Sequence, residues 1–286
     1  MSYIQNLSYS PSKDSGIPIE IVRLSELRTR EIDVDICAPT RHDFYLLMFV
    51  TDGAGAHWVD FARHKLRQGD VLHVRPDQVH AFDAKSRHEA LLLVFRPESV
   101  SDSQVVQLAA QLDRPVHLGP RDFGLLVQVL ELLEQIGRAS ERRRPTSMAS
   151  GLLQAVIAGL DDHHSREGEP PPTPAHQRAL ELVHHFERLV HERGGRRSLS
   201  EYAGSLHVTT RTLGRACHQV RGLSPKRLID QNLALEAKRK LILADHTVEE
   251  TAFELGFSEA TNFVKFFKRV AGQTPEGFRA SQHRQR

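Results

Sequence analysis

Cysteine is nearly absent from this 286-residue chain: Cys37 and Cys217 are its only two. That excludes a disulfide scaffold and a cysteine-built zinc site, and it reads as a reduced, cytoplasmic protein. No stretch reaches the roughly 18 uncharged apolar residues of a membrane span, so no membrane partner is expected. Met1 to Ser15 offers no apolar core for a signal peptide. A nucleophile–base–acid constellation, a phosphate-binding glycine loop and a His-x-x-x-His pair with a carboxylate are all missing. No catalytic residue, cofactor or metal site is therefore expected. The histidines, such as His163-His164 and His184-His185, are scattered along the chain.

What is present is ordinary globular composition, 40% hydrophobic and 26% charged, in enough chain for two domains. The formal net charge of +2 hides an asymmetry. Residues 1–174 hold 19 basic and 24 acidic side chains, whereas residues 175–286 hold 19 basic and 12 acidic ones. A basic back half suits a polyanion. Between the halves, Ser165-Arg-Glu-Gly-Glu-Pro-Pro-Pro-Thr-Pro174 reads as a semi-rigid spacer, because stacked prolines cannot propagate a helix.

Before the spacer the chain reads strand first and helix second. Ile17–Leu24, Phe44–Val50, Ala56–Phe61, Val71–Val74 and Leu91–Phe95 are short apolar or alternating runs, punctuated by turns at Asp52-Gly53, Gly55 and Gln68-Gly69-Asp70. Strands at this density indicate a small antiparallel barrel or sandwich. Two helical periodicities follow: Phe123, Leu126, Val129, Leu130, Leu133 and Ile136, then Met148, Leu152, Val156, Ile157 and Leu160. These helices either cover their own barrel or pair with a second subunit; a homodimer is the preferred expectation. Between them, Arg142–Arg144 reads as a solvated loop. Beyond the spacer everything reads as helix, opening with His176–Glu192, which Gly194-Gly195 ends.

The most specific signal is an internal repeat. Leu199-Ser-Glu-Tyr-Ala203 returns as Val248-Glu-Glu-Thr-Ala252, and Gly222-Leu-Ser224-Pro225 as Gly272-Gln-Thr274-Pro275. Each unit reads as a helix-turn-helix: a short helix with a small residue (Ala203, Ala252), a tight turn, and Thr209 or Ser258 capping the second helix. That second helix keeps one apolar face, Leu213, Ala216, Cys217 and Val220, then Phe263, Phe266, Phe267 and Val270. Its other face carries Thr210, Arg211, Gly214, Arg215 and His218 in the first unit. In the second it carries Thr261, Asn262, Lys265 and Lys268. Such a face suits the major groove of double-stranded DNA. Ser224-Pro225 opens a connecting helix that continues to Leu243.

Glu236-Ala-Lys-Arg239, Glu254-Leu-Gly-Phe257, Asn262-Phe-Val-Lys-Phe-Phe-Lys-Arg269 and Gly272-Gln-Thr-Pro-Glu-Gly-Phe-Arg279 resemble the signature of AraC/XylS transcription regulators, over residues from about 176 to 280. The resemblance implies two helix-turn-helix units on one long helix. It places base-reading positions at Arg211, Gly214 and Arg215, and at Ala260, Thr261, Asn262 and Lys265. Residues 16–97 resemble the cupin-like effector domain that often precedes such a region. Of a cupin's four metal ligands only His42 and His80 remain, with Thr40 and Leu46 in the other slots of the first motif. Expected effector-binding residues are therefore His42, Phe44, Met48 and His80, with His42, Phe44, Leu46 and Met48 sharing one strand face. Trp58 is also expected there; Tyr45, His57 and His73 rank lower, and Arg41 and Arg75 are candidates for an effector carboxylate. The run Leu235-Glu-Ala-Lys-Arg239 resembles members that respond to aromatic carboxylates.

The expected organisation is a cupin-like effector and dimerisation domain at 1–164 (barrel about 16–97, helices about 121–164), a linker at 165–175 and a DNA-binding domain at 176–286. The expected function is a transcription regulator, an activator, switched by a small molecule and acting with RNA polymerase. The alternative is a metal-dependent cupin enzyme with a helical appendage.

Overall fold

The computed structural model describes residues 5–7, 18–29, 35–101, 104, 108, 112, 114–138, 146–166, 173–194, 197–243 and 247–284. Most of Met1–Ser15, the Arg142–Arg144 loop and most of the proline-rich spacer lie outside the described residues. The chain divides into two compact units, Ile4–Pro171 and Pro172–Arg286.

The first unit is a sandwich of two five-stranded sheets. One runs β1 (Gln5–Leu7), β3 (Thr40–His42), β8 (Val79–Phe82), β5 (Ala54–Val59), β6 (Ala62–Arg67). The other runs β10 (Val116–His117), β7 (Asp70–Val74), β4 (Tyr45–Asp52), β9 (Glu89–Phe95), β2 (Ile19–Arg23). Pairing is antiparallel except between β1 and β3. The second sheet is buried on both faces, which is why β4 and β9 read as continuous apolar runs rather than alternating ones. Leu46, Met48, Leu92 and Val94 face inward against Val59, Leu66 and Phe82 of the opposite sheet. Tyr45, Leu47, Phe49, Leu91 and Leu93 face outward, under α2 (Pro120–Arg138) and α3 (Thr146–Arg166).

A short helix, α1 (Leu24–Thr29), follows β2, so the strand expected at Ile17–Leu24 ends one residue earlier, with Leu24 fully buried. α2 is fastened to β2 by the Arg23 guanidinium, whose Nε and Nη2 donate to Glu134 at 2.9 and 2.6 Å. That fork offsets the burial of Glu134 and holds its carboxyl below the usual range. The two helices approach closely where Gly159 faces Leu126; a Cβ at 159 would lie 2.7 Å from Leu126 Cδ2.

The second unit is all helix. α4 (Pro174–Glu192) starts on a Thr173 cap with Pro174 in the first turn. α5 (Leu199–Ser205) and α6 (Thr210–Arg221) form the first hairpin, α7 (Pro225–Leu243) connects, and α8 (Val248–Glu254) with α9 (Ala260–Ala271) forms the second. α10 (Pro275–Arg284) closes the unit. The repeat is visible in backbone chemistry as well as in letters. Ser198 with Glu201 and Thr247 with Glu250 make matching capping boxes. The turn passes through positive φ at His207 (55°) and at Gly256 (83°), and Val208 N–H and Phe257 N–H then donate to Ala203 and Ala252 carbonyls. Both second helices end on a left-handed glycine, Gly222 or Gly272.

One cap differs from expectation. Thr209 caps α6 by accepting from Thr212 N–H, but α9 starts after Glu259, not Ser258, with no side-chain cap bond. The residue added to the second turn sits between Phe257 and the helix, and so moves the start one position on.

Candidate nucleic-acid interface and effector pocket

The apolar faces expected for α6 and α9 are the ones that pack. Leu213, Ala216 and Cys217 are buried against Phe186, Val190, Tyr202 and Ala203. Phe263 and Phe267 are fully buried in a chain of rings running from Phe257 to Phe278, with centroids 5.4–5.8 Å apart.

The opposite faces are open. Thr210, Arg211, Arg215 and His218 are exposed on α6, and Thr261, Asn262, Lys265 and Lys268 on α9. Gly214 and Ala260 are half-buried. Other basic side chains are committed to the scaffold. Arg221 donates through Nε and Nη2 to the two carboxylate oxygens of Glu187 on α4, each at 2.9 Å. Arg269 pairs with Asp230 of α7 at 3.1 Å, and Lys240 with Glu254 at 2.8 Å. Among the described residues no acid lies within ion-pair distance of Arg211, Arg215, Lys265 or Lys268. Sequence reading could not separate these two sets of cations, because their acidic partners are distant in the chain.

In the sandwich, His42, Phe44, Met48 and His80 come together, though not from one strand. β3 ends at His42, the chain bends at Asp43-Phe44, and β4 begins at Tyr45. Alternation therefore does not run through the four residues; Leu46 and Met48 are inward on β4, and His42 returns to them by stacking on Phe44 at 4.1 Å. Trp58 is the exception. His57 and Val59 lie opposite Phe82 and His80 in the β5–β8 register, so the intervening Trp58 projects from the other face, half-buried.

His57, ranked lower from sequence, joins the group: it is fully buried, with Nε2 at 2.9 Å from His80 Nδ1. Burial holds His42 down at about 4 and His57 at about 3, and pushes His80 well below the ordinary imidazole range. All three are neutral at pH 7, so each offers one donor and one acceptor nitrogen.

Beside this group is a cavity of about 200 Å³ lined by Val59, Asp60, Ala62, His64, Leu72, His73, Arg75, Gln78 and Leu112. Only His73 and Arg75 among them were sequence candidates. Asp60, Gln78 and Leu112 carry no sequence signal of a pocket, because the turn that gathers Asp60 and Gln78 is read only in three dimensions. Gln78 Nε2 donates to Asp60 Oδ2 at 2.8 Å, and Gln78 Oε1 accepts from Arg75 N–H at 2.8 Å.

The sequence matches the family described as AraC-like ligand binding domain over residues 25–167, and a helix-turn-helix domain over residues 202–281. It is 24% identical over 246 residues to the HTH-type transcriptional activator RhaS of Yersinia pseudotuberculosis serotype I, covering 84% of this chain and 88% of that protein. RhaS of Yersinia pestis (strain Pestoides F) is 23% identical over the same shares. Of solved structures, fatty-acid-bound ToxT from Vibrio cholerae superposes over 91% of this chain and 94% of its own, with 11% identity and a TM-score of 0.43.

Proposed function

This chain belongs to the AraC family of transcriptional regulators, and we propose that it is an activator whose first unit binds a small effector and whose second unit reads DNA sequence. The observation that carries the reading is the pair of matched helix-turn-helix units whose second helices leave Arg211, Arg215, Lys265 and Lys268 exposed and unclaimed by acids. Residues 1–164 sense and dimerise, 165–175 link, and 176–286 bind DNA. Arg211 and Arg215 take guanine edges, Asn262 an adenine edge, and Thr210, Thr261, Lys265 and Lys268 add base and phosphate contacts. The 19-residue α7 spans about 28 Å at 1.5 Å per residue. Successive major grooves lie about 34 Å apart, so two readers on one such helix suit neighbouring groove turns. Selection from random duplexes tests this. Enrichment of a bipartite motif with halves about one helical turn apart is expected; failure to enrich any motif contradicts it.

His42, Phe44, Met48 and His80 form the inner wall for the effector, an aromatic carboxylate in the reading from resemblance; Trp58, on the other face, is better placed outside it. The protein acts in the cytoplasm. RNA polymerase is the further partner of an activator. The patch of Glu249, Glu254 and Phe253, which is 52% exposed, is unsuited to a polyanion and is the surface offered to that partner. A homodimer would cover Leu125 and Leu132 of α2 and Met148 of α3, which are 54%, 37% and 44% exposed. Leu132→Glu is expected to turn dimer into monomer in sedimentation velocity; a wild-type monomer would remove the dimer. The enzyme alternative requires a bound metal, and metal analysis of the purified chain tests it: stoichiometric iron, manganese or zinc would favour it.

A further inference from the structure

The cavity beside the histidine group has walls of two kinds. Val59, Ala62, Leu72 and Leu112 are apolar; His73 and Arg75 are the polar groups on one strand end. His73 is buried, its ring stacked on Tyr45 at 5.7 Å, and its Nε2 has no hydrogen-bond partner among the described residues. A buried polar nitrogen with no partner, lining a cavity, marks a place where a ligand atom belongs. Arg75 is half-buried, and among the described residues no acid lies within ion-pair distance of it. The acid on the lining, Asp60, is engaged: its Oδ1 and Oδ2 accept from Val79 N–H at 3.2 Å and Gln78 Nε2 at 2.8 Å. Burial, with Arg75 adding to it, keeps His73 neutral at pH 7 with a pKa of about 3. The cavity thus presents Arg75 as its cation, Asp60 as an acid already taken up by Gln78 and Val79, the two imidazoles of His64 and His73, and hydrocarbon walls.

Volume sets the scale of the part of the ligand held inside, the side at exposed Ala62 being open. An apolar cavity of about 150 Å³ holds benzene, so about 200 Å³ holds a single ring with one small substituent. We infer that this cavity is the effector's acid-end subsite, taking a compact carboxylate whose oxygens meet the Arg75 guanidinium and His73 and whose hydrocarbon body lies on Val59, Leu72 and Leu112. This rests on the effector-controlled reading above and gives it a location. Val59 and Leu72 belong to the inward face, Val59 lying opposite His80, whereas His73 lies opposite Leu47 on the outward face, so the lining draws on both faces of the sheet that holds β7.

Calorimetric titration of the full chain tests it, with benzoate and cyclohexanecarboxylate as acids and benzamide and cyclohexanecarboxamide as their neutral partners. Each acid is expected to bind at least 10-fold more tightly than its amide. In Arg75→Gln the two should fall within 2-fold of each other. The backbone bond from Arg75 N–H to Gln78 survives that change, so the melting temperature should hold. Arg75→Lys keeps the charge without the two-pronged donor, and is expected to lose several-fold of the acid preference; it answers the question if the glutamine variant does not fold. His73→Leu should weaken acid and amide alike. The assignment is overturned if neither acid binds at 10 mM, if amides bind as well as acids, or if the preference survives in both Arg75 variants. Selective DNA binding by the same preparation with no acid binding would overturn the subsite alone. Acid binding through Arg75 with no DNA selectivity would instead overturn the regulator reading.

Discussion

Replacing Arg215 with alanine will cut discrimination between the selected site and random DNA by roughly 5- to 150-fold, corresponding to about 1–3 kcal/mol for one bidentate guanine contact. Arg215 is exposed near the middle of α6, one turn beyond Arg211, and neither is held by an acid. Its neighbours on the buried side, Leu213, Ala216 and Cys217, fix the helix without it, so the variant should melt like the parent. Lys268→Ala supplies the contrast. A phosphate contact carries no sequence information, so its loss should weaken specific and random duplexes equally and flatten the salt dependence by about one charge. Competition titrations at several salt concentrations read both effects. An Arg215→Ala protein that keeps its discrimination would remove that residue from the reading face.

Acid will unfold the first unit well before the carboxylates that hold it are protonated. His42, His57 and His73 are kept neutral by burial, at about 4, 3 and 3, against 6.5 in the unfolded chain. Between pH 6.5 and about 4 the unfolded chain therefore binds protons that the folded unit refuses, and stability falls as pH falls. Near pH 5 each of the three costs about 1–2 kcal/mol, and His80 adds to them in the same direction. The sum is a large part of the 5–15 kcal/mol typical of a domain. Urea titrations followed by near-ultraviolet dichroism should show the folding free energy dropping steeply from pH 6.5 to 4.5. His57→Gln should make that slope shallower by about one proton. A stability flat across this window would mean that the imidazoles are charged or exposed in the folded state.

The two halves of the molecule differed in how much of them could be read from sequence. In the second unit each backbone need has a local chemical answer: a serine or threonine at a cap, a glycine at a left-handed helix end, a small residue under a turn. Because the repeat states each answer twice, helix order, faces and turn were legible. The Ser258 cap failed through one inserted residue, which shifts a helix start without disturbing its buried face. In the sandwich the controlling contacts are cross-strand. β3 and β8 are short, and β6 carries three basic residues, so none stands out as an apolar run. His42 meets Phe44 through a bend and a ring stack, not through the alternation that the sequence suggests. The face from which Trp58 projects is set by the register with β8, 23 residues away, and no local pattern carries it. His57 pairs with His80 across that same register, and no local pattern announces a hydrogen bond between two strands.

The central claim is that the second unit recognises a base sequence rather than merely a charged polymer. Competition of a selected duplex against random duplex at physiological salt measures this directly on the full chain. The account predicts at least a 1,000-fold preference, on the scale of about 10³–10⁷ seen for specific binders, falling in Arg215→Ala. A preference below 10-fold, unchanged by that substitution, would contradict it.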